Sequence, residues 1–419
     1  MTNSLTKLEF KKIISNKAFK VACFLAVIYI IGALFDSISL ERCWKLNNSG
    51  VTQKLSGIEA IKQKKVEVQK SKGYLDDKKI KEVINYYQEL KNTNKDSMDQ
   101  YGVFKDIIIA KYWQPYIGIQ SLFAMAYSDL HTSDYTIIDT LTPNSSKEFY
   151  SNRIKKISGY LELEYEHPQF DKVDANKIIK ESKNLTKPMY YDYADGWIRL
   201  MDNFFSLNLV IIFILCFSVC SVFTEDIQNS MILVVFPSIN GKTKLALSKI
   251  KASIIFTSIT YLVLNFLFAS LLLSFYGFSG WNCSIQITPM YFLSIYNIKF
   301  YEAYILAIII GLSTCLFMVM LTLLLENILK NAFLTISAAS AFLLLPILIN
   351  TEPLSKIPAN LIEILPIKAI NYTHTLIKQS MYNVFGIEIL RGYITPIILL
   401  IAGIAVIPFI VKIYNKQQV

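Results

Sequence analysis

The side chains that most often carry enzymatic chemistry are few in this sequence, and their spacing forms no known catalytic pattern. Its three histidines are His131, His167 and His374, and none belongs to an HExxH zinc motif. The glutamates that alternate through 162–166 lie beside His167 in a charged stretch that is typical of a solvated helix face. Neither a GxSxG nucleophile motif nor a Cys/His metal pattern is present. The sequence therefore predicts a chain that is not an enzyme and has no catalytic residue, cofactor or metal of its own.

One short segment resembles the end of a phosphate-binding loop. Residues 240–243 read Asn-Gly-Lys-Thr, but Phe236 stands where such a loop needs its leading glycine. The segment also lies between two apolar blocks, where no strand and helix of a nucleotide-binding domain could form. We interpret it as a loop that does not bind nucleotide.

Long apolar blocks of sequence separate the polar segments described above. Hydrophobic residues make up 53% of the 419 residues and charged residues only 18%, and mean hydropathy is +0.38. Six blocks contain no Asp, Glu, Lys, Arg or His, and a bilayer core needs about 20 such residues per helix. The sequence predicts an all-α integral membrane protein with six transmembrane helices: Val21–Phe35, Phe204–Phe223, Ala252–Tyr276, Ala303–Leu325, Ala332–Ile349 and Ile394–Val411. The first is expected to be an uncleaved anchor, with a secretory signal as the alternative.

The distribution of basic residues predicts the orientation. Four pieces that would share one side of the membrane carry +8 of the net +10: residues 1–20, 224–251, 326–331 and 412–419. Lys and Arg concentrate on the cytoplasmic side of membrane proteins, so both termini are expected there. The excess of basic residues is then a topology signal, and nucleic acid is not an expected partner.

A long polar segment separates the first two predicted spans. Residues 36–203 are expected to form a mainly helical extracytoplasmic domain, with helical apolar periodicity in 80–90 and 150–161. The apolar stretch 107–130 is interrupted by Lys111, Gln114 and Pro115, so we place it in this domain and not in the membrane. Residues 204–411 then hold helices two to six, with a cytoplasmic loop at 224–251, outer loops at 277–302 and 350–393, and a tail at 412–419.

Two of the six cysteines, Cys43 and Cys283, fall on the predicted outer side. A disulfide between them is one alternative and two free thiols are the other, because no spacing supports the pairing. The remaining cysteines lie in spans, as small apolar residues.

The predicted membrane plan leaves the chain without a source of energy. Ion-coupled carriers usually place ionisable groups within the membrane, and these six spans have none. The cytoplasmic pieces come to about sixty residues, too few for an ATPase. Work across the membrane would require energy from another subunit.

Three segments resemble those of a known family. Leu8–Lys12 belongs to a basic amphipathic stretch before span one, similar to an elbow helix. The loop after span two begins Phe223–Ser230 and continues through Gly241 and Lys242 to Lys249–Ile250. This plan is similar to that of the ABC-2 type permeases, the membrane subunits of ATP-binding-cassette exporters, and the large outer domain to a Firmicute-like subgroup. Ser230 departs from the pattern, because family members usually carry glycine there.

The resemblance implies a set of functional residues and partners. Glu225, Asp226, Gly241, Lys242 and Lys249 would belong to a coupling loop that docks on a separate cytoplasmic ATPase subunit, which would bind ATP and Mg. A second permease copy or a paralogue would complete the transporter in the lipid bilayer.

The expected function is ATP-driven export of an amphiphilic substrate such as a peptide antibiotic, a lipid-like molecule or a drug, in a bacterial cell membrane. Lysine outnumbers arginine 38 to 4, a composition typical of an AT-rich bacterial source. Two alternatives stay open: a membrane-anchored receptor or immunity protein that acts through its outer domain, and a mechanotransmitting permease of the four-span type.

Overall fold

The computed structural model describes residues 2–47, 49–99, 103–164, 172–228, 241–378, 380–384 and 386–416. The helices before residue 228 are α1 (Thr2–Ser15), α2 (Lys17–Ser39), α3 (Gly57–Ser71), α4 (Asp77–Thr93), α5 (Asp106–Ile108), α6 (Ile117–Tyr127), α7 (Phe149–Glu164), α8 (Lys172–Lys183), α9 (Asp195–Val219) and α10 (Thr224–Gln228). Those after residue 241 are α11 (Thr243–Tyr276), α12 (Phe300–Leu329), α13 (Ala332–Leu344), α14 (Lys356–Glu363), α15 (Pro366–Ile370), α16 (Tyr372–Ile377) and α17 (Arg391–Asn415).

The described strands form three separate two-stranded antiparallel pairs. Among them, only the pair β3–β4 joins distant parts of the chain. Its strands, at 73–74 and 190–191, bring the beginning and the end of the long segment between α2 and α9 together. The strands are β1 (Arg42–Leu46), β2 (Thr52–Ser56), β3 (Gly73–Tyr74), β4 (Tyr190–Tyr191), β5 (Met381–Val384) and β6 (Ile387–Leu390).

Five helices in the described part of the chain are long and apolar enough to cross a membrane: Lys17–Ser39, Asp195–Asp226, Thr243–Tyr276, Phe300–Leu329 and Arg391–Asn415. The second of these consists of α9, the turn that follows it and the start of α10. Together the five helices contain five of the six predicted spans. The remaining predicted span, Ala332–Ile349, which is the fifth in chain order, is a shorter apolar helix, α13, followed by a 3₁₀ turn at Leu345–Leu348. That this segment crosses the membrane therefore stays a prediction.

The outer faces of these helices are apolar. Phe24 and Phe35 of α2 are 66% and 74% exposed, Phe266 of α11 is 75% exposed and Ile404 of α17 is 64% exposed. Soluble monomers rarely present apolar surface of this extent. The exposed surface and the five long helices together indicate membrane insertion.

Close packing inside the bundle depends on a glycine. A Cβ at Gly311 of α12 would stand 2.1 Å from the Tyr261 hydroxyl of α11 and 2.7 Å from Oδ1 of Asn208 in α9. The bare backbone lets the three helices meet at this point. Both oxygens are buried and lack a hydrogen-bond partner among the described residues.

Helix α4 confirms the helical periodicity expected for 80–90. Its buried residues are Ile80, Val83, Ile84, Tyr87 and Leu90. Asp76 caps the helix by accepting a hydrogen bond from the Lys79 amide at 2.7 Å. The stretch 107–130 is broken into short helical pieces on either side of Pro115 and is not among the five long helices.

Helix α7 confirms part of the pattern expected for 150–161, because Ile157 and Leu161 are buried, whereas Tyr150 and Ile154 are only half-buried. It begins at Phe149, after a 3₁₀ segment that starts at Pro143, and its buried face includes Arg153, which is 1% exposed. The Arg153 guanidinium donates to the carbonyls of Phe292 and Ser294, both at 2.6 Å, and of Ser182 at 3.1 Å. Burial lowers the pKa of Arg153 to about 10. This arginine fastens the segment between α2 and α9 to the loop between α11 and α12.

A second fastening involves Glu41, which is 1% exposed just after α2. Its carboxylate accepts from Arg199 of α9 at 2.8 Å and from the Tyr276 hydroxyl of α11 at 3.2 Å, and it pairs with Lys64 of α3. Burial alone would raise the pKa of Glu41, but the two cations hold it below its usual value. The ends of three long helices are thereby joined to α3.

The disulfide considered from the sequence is not formed. Cys43 and Cys283 are both free thiols, with exposures of 2% and 0%. Cys43 lies in β1, paired with Leu55 of β2, whereas Cys283 lies in the turn after α11. The sequence places both cysteines outside the spans but does not say how far apart they lie, and a disulfide forms only between cysteines that are close together.

Candidate functional site

The candidate site lies where α1 meets the ends of α10 and α11. Helix α1 buries one face: Glu9 and Ile13, one turn apart, are 5% and 3% exposed, whereas Leu8 and Ile14 are 58% and 41% exposed. Its buried face packs against the first turns of α11. A carboxylate on that face needs a partner, because an unpaired buried charge is costly.

Four charged side chains supply that pairing, and we call them the inner ionic cluster: Glu9, Lys12, Asp226 and Lys249. The Lys249 ammonium of α11 lies 2.9 Å from Asp226 Oδ2 and 3.2 Å from Glu9 Oε2. The Lys12 ammonium lies 3.3 Å from both Glu9 Oε1 and Asp226 Oδ1. Two carboxylates and two ammonium groups alternate, so the cluster is electrically balanced.

Burial differs sharply between the two lysines. The Lys249 side chain is 1% exposed and the Lys12 side chain is 43% exposed. Lys249 also donates to the Val222 carbonyl, and its ammonium lies 5.5 Å from the centre of the Phe223 ring. Burial by itself lowers the pKa of Lys12, but the carboxylates of Glu9 and Asp226 outweigh it and leave the pKa above its ordinary value.

A fifth charged residue holds α10 from the other side. Glu326, near the end of α12, is fully buried and accepts from the amides of Phe223 and Thr224 at 2.6 and 2.7 Å, and from the Thr224 hydroxyl at 3.1 Å. A carboxylate at the beginning of a helix satisfies amides that have no partner within the helix. Helix α10 is therefore fixed to α1, α11 and α12 at once.

The predicted coupling residues differ in burial. Asp226 and Lys249 are buried in the inner ionic cluster, and Gly241 is buried ahead of α11. Glu225 and Lys242 are exposed. Residues 229–240, which include the middle of the predicted coupling loop, lie outside the described residues.

Sequence reasoning missed the roles of Glu9, Lys12 and Glu326. The sequence places Glu9 and Lys12 in a basic amphipathic stretch, and it places Glu326 only as the first residue of the short cytoplasmic piece 326–331. A usable signal was present, since Glu9 is the one acid among five lysines in residues 1–20 and lies among apolar positions. A lone carboxylate on an apolar face predicts a cation from another element.

The cluster is suited to mechanical linkage. Each carboxylate already has two cationic partners, so the arrangement neutralises its own charge and leaves no free base. Within the ranges that the structure describes, no group of three or more His, Cys, Asp and Glu side chains is placed to hold a metal ion. Removing one member would leave buried charges that are only partly balanced, which is costly. The helix ends that carry the cluster are therefore expected to move together.

Comparison of the chain with known families, with curated proteins and with solved structures finds no match in any of the three.

Proposed function

We propose that this chain is the permease subunit of an ATP-binding-cassette exporter, and that the ATP is hydrolysed by a separate cytoplasmic subunit. The observation that carries the proposal is the inner ionic cluster. It links an amphipathic helix at the membrane surface to both ends of the loop between the second and third long helices. A subunit that pushes on this loop would move α1, α10 and α11 as one body.

The exposed residues of the same region supply the docking surface in this proposal. Glu225 is exposed in the first turn of α10, beside the buried Asp226. Lys242 and Lys244 are exposed where the chain enters α11. The buried residues would transmit the movement and the exposed ones would receive it, so Glu225 and Lys242 keep the coupling role and Lys249 becomes a positioning residue.

The remaining features of the proposal rest on the hydropathy pattern, the charge distribution and the resemblance to the permeases. The chain would cross a bacterial cell membrane six times, with α13 and its 3₁₀ extension as the fifth crossing and both termini in the cytoplasm. Two copies, or this chain and a paralogue, would enclose the path of an amphiphilic substrate. The 155 residues from Leu40 to Ala194, which lie between α2 and α9, would face outward.

The test is copurification followed by a matched pair of substitutions. Affinity purification of the tagged chain from its native membrane is expected to recover a subunit with ATPase activity. Glu225→Ala should then reduce the ATPase activity or the amount of ATPase retained. Glu59→Ala is the control, because Glu59 is also an exposed acid in the first turn of a helix but belongs to α3, in the segment proposed to face outward.

Three results would contradict the proposal. A chain that purifies without an ATPase from gently solubilised membranes would favour the receptor or immunity alternative. Equal activity of the Glu225→Ala and Glu59→Ala complexes would remove the coupling role from α10. A topology assay that finds only four membrane crossings would favour the mechanotransmitting alternative.

A further inference from the structure

A pocket of about 380 Å³ lies at the end of the bundle where α17 begins. It is formed by the chain that follows α13 and by side chains of α14 to α16. Its volume is within the range of small-ligand sites, which is roughly 300–1,000 Å³. The lining residues are 347–352, Glu363, Lys368, Asn371, His374 and Lys378.

The carboxylate in the wall of this pocket is already paired. Glu363 Oε2 lies 2.6 Å from Nη1 of Arg391, which is fully buried at the first residue of α17. Glu363 Oε1 accepts from the Thr351 hydroxyl at 2.8 Å. Glu363 therefore lies between Arg391 behind the pocket and Lys378 in front, and a single carboxylate cannot neutralise both cations.

Cationic side chains give the pocket a positive character. The Lys368 ammonium lies 3.4 Å from the Ile349 carbonyl, a weak contact with a neutral group. The Lys378 ammonium is 3.5 Å from Glu363 Oε1, and the His374 ring, whose side chain is 44% exposed, is 3.9 Å from Glu363 Oε2. Glu352 is exposed on the rim. Three permanent cations, Lys368, Lys378 and the Arg391 behind the pocket, are therefore set against two carboxylates, those of Glu363 and Glu352. The pocket favours a ligand with one negative charge.

The pocket adjoins a surface that is strongly apolar. Leu345 and Leu348, on the turn that ends the apolar helix α13, are 58% and 81% exposed. Ile357 and Leu361 lie one turn apart on α14 and are 75% and 63% exposed, whereas Ala359 on the opposite side of α14 is buried. Helix α14 has the pattern of a helix that lies along a membrane surface.

We propose that this pocket binds the phosphate of a glycerophospholipid headgroup, with the acyl chains against the exposed apolar side chains of α13 and α14. A soluble phosphate would use the lysines but would have no reason to meet an apolar surface. A lipid matches both surfaces and their adjacency at the end of a membrane-crossing bundle. The proposal depends on membrane insertion alone, so it stands apart from the proposed ATPase partner.

The experiment measures lipid retention by the full chain. Detergent-purified protein is titrated with phosphatidylglycerol, and bound lipid is counted by native mass spectrometry. Lys368→Gln is expected to weaken binding about fivefold, the factor that matches the ~1 kcal/mol by which a lysine near a membrane attracts anionic lipid. Leu348→Asn should weaken it about threefold or more, through lost apolar contact.

Matched controls come from a second pocket that β1, β2 and α3 form. Lys62 and Val66 are exposed residues in its wall, so Lys62→Gln and Val66→Asn repeat the same chemical changes there and should leave lipid retention unchanged. Thermal unfolding of each variant checks that it is folded.

Three outcomes would overturn the proposal. The first is wild-type protein that retains no phospholipid, and the second is equal loss in the Lys368 and Lys62 variants. In the third, millimolar inorganic phosphate displaces the lipid while Leu348→Asn has no effect, which would identify the site as one for soluble phosphate.

Discussion

Replacement of Lys249 by methionine tests the inner ionic cluster most directly. Methionine keeps most of the length of the side chain but removes its charge and its hydrogen bond to the Val222 carbonyl. Glu9 and Asp226, which are 5% and 6% exposed, would then share a single cation, Lys12, whose side chain is 43% exposed. Removing one partner of a buried ion pair costs about 3–5 kcal/mol, whereas an exposed lysine contributes about 0–1 kcal/mol. Lys249→Met should therefore destabilise the protein several times more than Lys12→Met.

The assay is unfolding of the purified chain in detergent micelles, followed by tryptophan fluorescence. The two single variants are compared with a triple variant, Glu9→Gln with Asp226→Asn and Lys249→Met, in which no buried charge is left unpaired. The triple variant should recover most of the stability that Lys249→Met loses. If Lys249→Met and Lys12→Met unfold at the same point, or the triple variant is the least stable, the reasoning about the cluster is wrong.

Three further predictions concern other parts of the molecule. Burial would raise the pKa of Glu363, but nearby cations lower it from 4.5 to about 2. The stabilisation that ionised Glu363 contributes is therefore complete above pH 4.5 and is lost as pH falls towards 2. In the Glu363→Gln variant, the free energy of unfolding should depend less on pH over that range. Gly311→Ala should destabilise by about 1–3 kcal/mol in thermal unfolding, because its Cβ meets the Tyr261 hydroxyl, and Tyr261→Phe should relieve part of the loss. Cys43 and Cys283 should resist an impermeant maleimide until the protein is unfolded; rapid labelling of folded protein would contradict their burial.

The long helices were predictable because their signal is local. An uncharged block such as 303–325 is stable only in lipid or in a deep core, and the structure extends this block to Phe300–Leu329. The boundaries were less predictable, since helices continue into polar residues on both sides. Helix α11 begins nine residues before the predicted span at Ala252, because Lys249 is paired and buried there.

The contacts that form the candidate site were not predictable in the same way. Glu9 and Lys249 are separated by 240 residues, and Lys12 and Asp226 by 214. No periodicity in either segment specifies such a pairing. The sequence did identify the two segments that take part, α1 and the loop that contains Asp226. It assigned the buried Asp226 and Lys249 to a docking surface together with exposed residues, and it gave no partner to Glu9 or Lys12.

Polar residues inside the bundle were also missed. Ser253, Thr257, Tyr261 and Asn265 follow one another at intervals of four along α11, and each is at most 2% exposed. Their residue types did not predict a buried polar face, because a search for charged side chains passes over hydroxyls and amides. The interval of four residues was the available signal, since it places all of them on one face of a helix.

Arg153 has a practical consequence for work on the outer segment. Two of the carbonyls that receive its hydrogen bonds, those of Phe292 and Ser294, belong to the loop between α11 and α12. In a secreted fragment of residues 36–203, the buried Arg153 guanidinium would keep only one of these acceptors, the Ser182 carbonyl. A fragment intended for ligand screening or immunisation should graft residues 277–299 onto it, or replace Arg153 by an apolar side chain of similar length.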